Sequence, residues 1–415
     1  VHGAGFFYIP GSDTCIKIGG RVRAEYRYLE PLWGDEYAPG LLNGRQKDAT
    51  GMRARGRINV DARTATEWGT LRAFIQVDVT ADTGSYRPQP GPASESTSVV
   101  LDKAYIQWAG ITAGRISSFF DFYASAINFG SGVMGSLGSD DGSVNVLAYT
   151  ATFGNGFSAT LALEDRSSQV VGGSNFSLAG QRMPSIVGNL RVDQGWGSAQ
   201  LSASVQQLNS YNIGDGTGLN LNGDGFTFVG PGSGVLGSRT SDEYGWAIQA
   251  GLKFNLPMLA AGDALWLQAA YADGALGRLG FGSNPEIGPV GGLVTDALLV
   301  NGSIKKTKGW GVTAAFLHYW TPSVRQAVFG NYTSIDYAGS TVAAYSFPDG
   351  TRLIDDFKIW TVGTNVIWSP VKAFDIGVEV LYQKLDPKGR VALPNGASTS
   401  SEDIWEARLR FQRDF

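Results

Sequence analysis

Residues 16–28 read IKIGGRVRAEYRY, and the spacing within this stretch decides the fold. Ile16, Ile18, Gly20, Val22, Ala24, Tyr26 and Tyr28 are apolar, small or aromatic. Lys17, Gly19, Arg21, Arg23, Glu25 and Arg27 lie between them and are nearly all charged. A period of two is that of a β-strand whose faces meet different media. In a soluble sandwich the apolar face would enter a core and the charges would face water. Here the wet face carries many cations and little anion, so both faces need an explanation.

The pattern recurs along the whole chain. Met52, Ala54, Ile58, Val60 and Ala62 alternate with Arg53, Arg55, Arg57, Asp61 and Arg63. Leu71, Ala73, Ile75, Val77 and Val79 alternate with Arg72, Gln76, Asp78 and Thr80, and Trp405, Ala407, Leu409 and Phe411 alternate with Glu406, Arg408, Arg410 and Gln412. There are roughly sixteen such segments, at or beyond the usual strand length. They begin near 16, 51, 69, 98, 110, 143, 157, 184, 197, 243, 263, 308, 324, 354, 373 and 402. Short turns such as 154–156, 195–197, 321–323 and 369–372 alternate with long loops near 30–50, 83–97, 117–142, 167–183, 209–242, 275–307, 337–353 and 386–401. Strict alternation belongs to an up-and-down meander with one trimmed rim and one decorated rim. Trp68, Trp108, Phe153, Phe157, Trp196, Phe254, Trp320, Trp368, Phe374 and Phe415 fall at or near the short-turn ends, where a membrane–water interface favours amphipathic rings. These signals predict an all-β chain: a sixteen-stranded antiparallel transmembrane β-barrel. Its apolar face would touch lipid and its charged face would line a lumen wide enough for water. Strand 402–415 must then close against strand 16–29, so that no edge is left in the membrane.

Composition agrees with a single body spanning 1–415, with 1–15 as a lead-in. Only 17% of residues are charged, 57 are Gly, and no linker-like stretch interrupts the texture. A net charge of −4 excludes a strongly basic nucleic-acid binder. No apolar run is long enough for a transmembrane helix. The first residues lack the basic and apolar regions of a signal peptide, the expectation for a cytosolic or an already processed chain. Only His2 and His318 are present, so histidine-based catalysis and metal sites are not expected. His318 shares parity with Phe316 and Trp320 and is expected at the interface. No Ser–His–acid set can be assembled, and no enzyme is expected. No cofactor is expected either. The one weak signal is NLNGDG at 220–225, which resembles the start of a calcium loop, lacks the Glu at its expected end and reads as a turn. Cys15, the sole cysteine, is either a lone buried thiol or paired upstream of Val1.

GAGFFYIPGSDTCIKIGGRVRAEY at 3–26 resembles the N-terminal signature of the alphaproteobacterial trimeric porins, and EARLRFQRDF at 406–415 resembles their C-terminal strand with its terminal Phe. NGFSATLALE at 155–164 and WGSAQLSASV at 196–205 are similar to internal strands of that family. The resemblance implies a homotrimer of sixteen-stranded barrels in the outer membrane of a Gram-negative bacterium, in contact with outer-membrane lipid and lipopolysaccharide. It also implies passive diffusion of ions and small hydrophilic solutes, and a third loop folded into the pore. A second cysteine commonly precedes the GAGFFYIPG stretch in that family.

The third long loop, 117–142, reads SSFFDFYASAINFGSGVMGSLGSDDG. Phe119, Phe120, Phe122, Tyr123 and Phe129 would be poor in water, so the loop is expected to pack on the inner wall. Ser118 followed by Asp121 resembles a capping box and predicts a short helix. The loop acids Asp121, Asp140 and Asp141 would face a basic wall of Arg21, Arg23, Arg27, Arg53, Arg55, Arg57, Arg72, Arg408 and Arg410. An unpaired arginine ladder repels itself, so keeping one implies a use: a transverse field across a narrow passage. The plainer alternative is cross-strand pairing with carboxylates, although Arg53, Arg55 and Arg57 have no acid interleaved in their own strand. The wall predicts weak anion preference or near neutrality, opposed by Asp215, Asp224, Asp242, Glu243, Asp355 and Asp356 in the outer loops. The outward small residues Gly20, Ala24, Ala54, Gly56 and Ala62 predict a close approach between barrels. Three rivals remain. A sugar-specific channel would need an aromatic track, for which Phe74, Tyr105 and Trp266 are the inward candidates. An outer-membrane lipase would need His318 as its base, and a soluble sandwich would be a monomer without detergent.

Overall fold

Every strand of alternating polarity finds a neighbour on both sides, which is how a chain that crosses with strands satisfies its backbone in lipid. In the computed structural model the described residues are 3, 5–30, 48–86, 95–123, 127–130, 142–165, 170–171, 176–178, 181–212, 239–281, 295–300, 303–344, 346, 352, 354–392 and 398–415. Among them sixteen strands form the barrel: β1 (Thr14–Leu29), β2 (Thr50–Thr66), β3 (Gly69–Asp82), β4 (Ser96–Trp108), β5 (Ile111–Ser117), β6 (Ser143–Gly154), β7 (Phe157–Asp165) and β8 (Ser185–Gln194). The second half is β9 (Gly197–Asn212), β10 (Arg239–Asn255), β11 (Ala264–Asp273), β12 (Lys308–Thr321), β13 (Val324–Asp336), β14 (Phe357–Val371), β15 (Phe374–Pro387) and β16 (Glu402–Asp414). Each pairs antiparallel with its sequence neighbours, and β16 closes on β1 from Arg21 opposite Asp414 to Leu29 opposite Glu406. The terminal residue seals the seam: Gly20 and Phe415 exchange backbone hydrogen bonds of 2.9 and 3.1 Å. Within the lead-in, Phe7–Tyr8 folds back on β1, with Tyr8 opposite the buried Cys15.

The outer face carries the apolar half of each alternation. Ile18, Val22, Met52, Ile58, Leu147, Leu161, Leu190 and Val362 are all more than half exposed in the isolated barrel, where lipid would cover them. Trp68, Phe153, Trp196, Trp320, Trp368 and Phe415 are exposed at the short-turn rim, the expected girdle. His318 lies in it, stacked on Phe316 and bonded through Nδ1 to Asp263 at 2.6 Å. A second girdle, not anticipated from sequence, rings the loop side through the cross-strand pairs Trp246–Tyr271, Trp310–Tyr332 and Trp360–Tyr382–Trp405, with centroids 4.9–5.3 Å apart. Trp310 and Trp320 mark the two girdles on β12. Their separation is about 33 Å along the strand, which a tilt of about 40° shortens to about 25 Å, the height of a barrel's apolar band.

Candidate functional site

The third loop enters the barrel. Its described parts cross the inner wall in two stretches, held by side chains of β8–β11 and then of β14–β16. Asn189 of β8 donates to the Phe119 carbonyl (2.7 Å), Gln200 of β9 to that of Asp121 (2.9 Å) and Gln249 of β10 to that of Phe120 (2.9 Å). The Tyr123 amide donates to Gln268 of β11 (3.0 Å), Asn365 of β14 donates to the Ile127 carbonyl (2.9 Å), and the Phe129 amide donates to Glu379 of β15 (2.7 Å). Arg410 of β16 ends the path on the Phe129 carbonyl at 2.6 Å. The loop's described residues thus lie on the half of the circumference from β8 to β16. Phe120, Tyr123 and Phe129 are buried against it, as their composition demands. Gly251 makes room for the Phe122 ring, which a Cβ there would overlap. Burial, with Glu379 nearby, holds the Tyr123 phenol above its usual range, so it stays a donor to Asn128 at 3.0 Å.

Two expectations for this loop change. Residues 118–123 form turns rather than a helix: Ser118 Oγ accepts from the Phe120 amide (3.1 Å), and Glu164 takes the Phe119 amide (2.9 Å). The loop also does not stand wholly opposite the arginines. Asp121 lies beside β9, across a sixteen-stranded barrel from β1, whereas 127–130 rest on the basic wall itself. Asp140 and Asp141 lie outside the described residues, as does 220–225.

The basic wall lines the facing half, and it is not an unpaired ladder. Arg53 binds Asp82 (2.6 and 2.9 Å) and Arg57 binds Asp78 (2.7 and 2.7 Å). Arg55 donates to Thr80 at 2.9 Å and lies 3.9 Å from Asp78. Arg72 and Arg63 share Asp61 at 3.0 and 2.8 Å. Across the seam, Arg21 meets Asp414 (2.5 Å), Arg410 meets Glu25 (2.8 Å) and Arg408 meets Glu406, which is 3.8 Å from Arg27. Arg23 takes the Gln412 side-chain oxygen at 2.8 and 3.0 Å. Arg27 and Arg53 flank the Tyr86 ring, 4.2 and 4.3 Å from its centroid. Asp61 and Glu406 serve Arg63 and Arg408 of their own strands, but the acids of Arg53 and Arg57 come from the neighbouring strand, where antiparallel register places Arg53 opposite Asp82 and Arg57 opposite Asp78. The wall is therefore a mosaic of short dipoles with a small surplus of cation.

A second loop, expected outside, also folds in. Leu276, Leu279, Phe281, Leu298 and Val300 are buried among Ile335, Tyr337, Phe357, Leu385 and Ile404, an apolar cluster inside the loop-side end of the barrel. Burying that many apolar side chains outweighs leaving the loop in water. Arg278 within this loop is 1% exposed and donates from Nη1 to Glu164 and to Ser118, both at 2.9 Å. Sequence reasoning missed this latch and the belt of inward Asn, Gln and Glu that docks the third loop. The available signal was an uncharged polar residue at an inward position on successive strands. The aromatic candidates form no file: Phe74 and Tyr105 stack at 5.3 Å beside Arg72, while Trp266 packs with the Tyr123 cluster.

A closed sixteen-stranded barrel with two aromatic girdles, a charged inner wall and an inserted loop is an outer-membrane channel for passive diffusion. The family described as the porin subfamily matches residues 1–407, and the chain belongs to it. Porin Omp2b of Brucella suis biovar 1 (strain 1330) is 30% identical over 292 residues, covering 66% of this chain and 74% of that protein. Among solved structures, the outer membrane channel DcaP of Acinetobacter baumannii is similar with a TM-score of 0.67 at 18% identity, covering 98% of this chain and 99% of that one. The trimer form of OmpT of Vibrio cholerae has a TM-score of 0.51 at 9% identity, covering 97% and 100%.

Proposed function

We propose that ions and small hydrophilic solutes pass between the inserted loop and the arginine–carboxylate wall of β1–β4 and β16, and that this wall sets the ion preference. The observation that carries this reading is the path of the loop's described residues, 118–123 on β8–β11 and 127–130 on β14–β16, with the arginines of β1 across the barrel from β9. Arg21, Arg23, Arg27, Arg53, Arg55, Arg57 and Arg72 orient water and solute there, with Asp121 on the far side, while Arg408 and Arg410 stand where 127–130 rest on β16. Weak anion preference follows from the small cation surplus. We read the chain as a channel rather than an enzyme, embedded in outer-membrane lipid and lipopolysaccharide.

Asp78 offers the test, because it serves both Arg57 and Arg55. Asp78→Asn should move the reversal potential towards anions and Arg57→Gln towards cations, most clearly below about 0.1 M salt, where screening is weak. Shifts of the same sign, or no larger than that of Asp356→Asn in an outer loop, would sink the proposal.

We also infer a homotrimer. On the outer face Val22 lies opposite Gly56, and Ala24 lies opposite Ala54 within a shallow hollow also lined by Tyr26, Met52, Ala81 and Phe411. Small residues let another barrel approach closely. A native mass of three chains in detergent, reduced by Ala54→Trp, is the expected result; a single chain plus detergent would contradict it.

A further inference from the structure

Between the end of the inserted loop and the wall lies a recess lined by Arg21, Arg23, Arg325 and Arg410 on its polar side and by Phe129, Leu317 and Ile367 on its apolar side. Its cavity volume is about 310 Å³. That is at the lower end of the roughly 300–1,000 Å³ of ordinary small-molecule sites. The Phe129 ring forms its floor by lying on β15 at Gly377, where a Cβ would come within 2.6 Å of the ring.

Three of the four arginines are already neutralised: Arg21 by Asp414 at 2.5 Å, Arg325 by Asp375 at 2.6 Å and Arg410 by Glu25 at 2.6 Å. Arg23 differs. Its Nε and Nη2 bond the uncharged amide oxygen of Gln412, and across β2 it stands in register with another guanidinium, Arg55. Of the four arginines lining the recess, Arg23 is therefore the one that no carboxylate pairs, and it stands beside an apolar surface. We propose that it binds a small organic monoanion with an apolar body: the carboxylate on Arg23, and the body against Phe129, Leu317 and Ile367. A carboxylate there gains a charge-assisted hydrogen bond and relieves the repulsion between Arg23 and Arg55. The ring or alkyl body gains burial that a hydrated inorganic anion cannot use. This rests on the reading of the lumen as the solute passage.

The test uses the full chain in planar bilayers carrying a KCl current, with benzoate, acetate and benzylamine added in turn. Benzoate should reduce the current saturably, at a half-blocking concentration about tenfold below that of acetate, and benzylamine should not block. Arg23→Gln should weaken the benzoate block about tenfold relative to its own KCl current. Ile367→Ser should weaken the benzoate block and leave that of acetate alone. A KCl current with no saturable benzoate effect, or a block unchanged by Arg23→Gln, overturns this site and leaves the channel standing. Absence of any KCl current would overturn the passage itself.

Discussion

Replacing Arg278 with Met is expected to destabilise the barrel by about 3–5 kcal/mol, the usual cost of leaving one member of a buried ion pair uncompensated. Glu164 is 0% exposed, and Arg278 is its only cationic partner among the described residues. The carboxylate would retain Ser118 and the Phe119 amide, which are dipoles rather than charges. The same substitution cuts the tie between the two inserted loops, because Arg278 also reaches Ser118 at the mouth of the third loop. Heat denaturation of the folded barrel, followed by its shift in gel mobility, should show the loss. The double variant Arg278→Met with Glu164→Gln should recover most of it, since neither charge is then orphaned. Equal losses in the single and double variants would mean that the residues contribute packing rather than charge.

Freeing the third loop should give the largest change in conduction. Gln200→Leu with Gln249→Leu removes the donors to the carbonyls of Asp121 and Phe120. Each buried carbonyl left without a donor costs about 1–3 kcal/mol, set against the packing of Phe120 and Tyr123 and the hydrogen bonds that remain. Single-channel conductance should rise and become noisy as the loop leaves the wall. The loss should appear as release of the loop rather than unfolding of the barrel, because both glutamines lie on the inner face and the strand ladders stay intact. Unchanged, quiet conductance in the double variant would show that apolar packing of Phe120 and Tyr123 holds the loop without them.

The barrel was legible before any coordinate, because in a strand the medium on each face is recorded residue by residue. The sixteen observed starts lie within four residues of those read from alternation, and the seam of β1 with β16 follows from the need to leave no edge. Part of the wall was also recoverable and was missed. The short turn between Thr66 and Gly69 sets the register of β2 on β3, and counting back from it puts Asp82 opposite Arg53 and Asp78 opposite Arg57. Looking for acids within one strand concealed partners that hairpin geometry supplies from the next.

The inserted loops were of a different kind. Aromatic content announced that 117–142 would pack inside, since so many rings are unstable in water. Its route depended on contacts such as Asn365 with Ile127, 238 residues apart, and Gln249 with Phe120, 129 apart. The same holds for the latch of Arg278 on Glu164, 114 residues away, and for the descent of 274–281 into the barrel. A period of two reports local surroundings and carries no information about which distant strands a loop will meet. Those meetings exist only once the barrel has closed and brought opposite walls within reach of a side chain. Alternation thus determined the barrel and its two faces, and closure alone decided where the arginines find their acids across the seam and which strands the described residues of the third loop rest on.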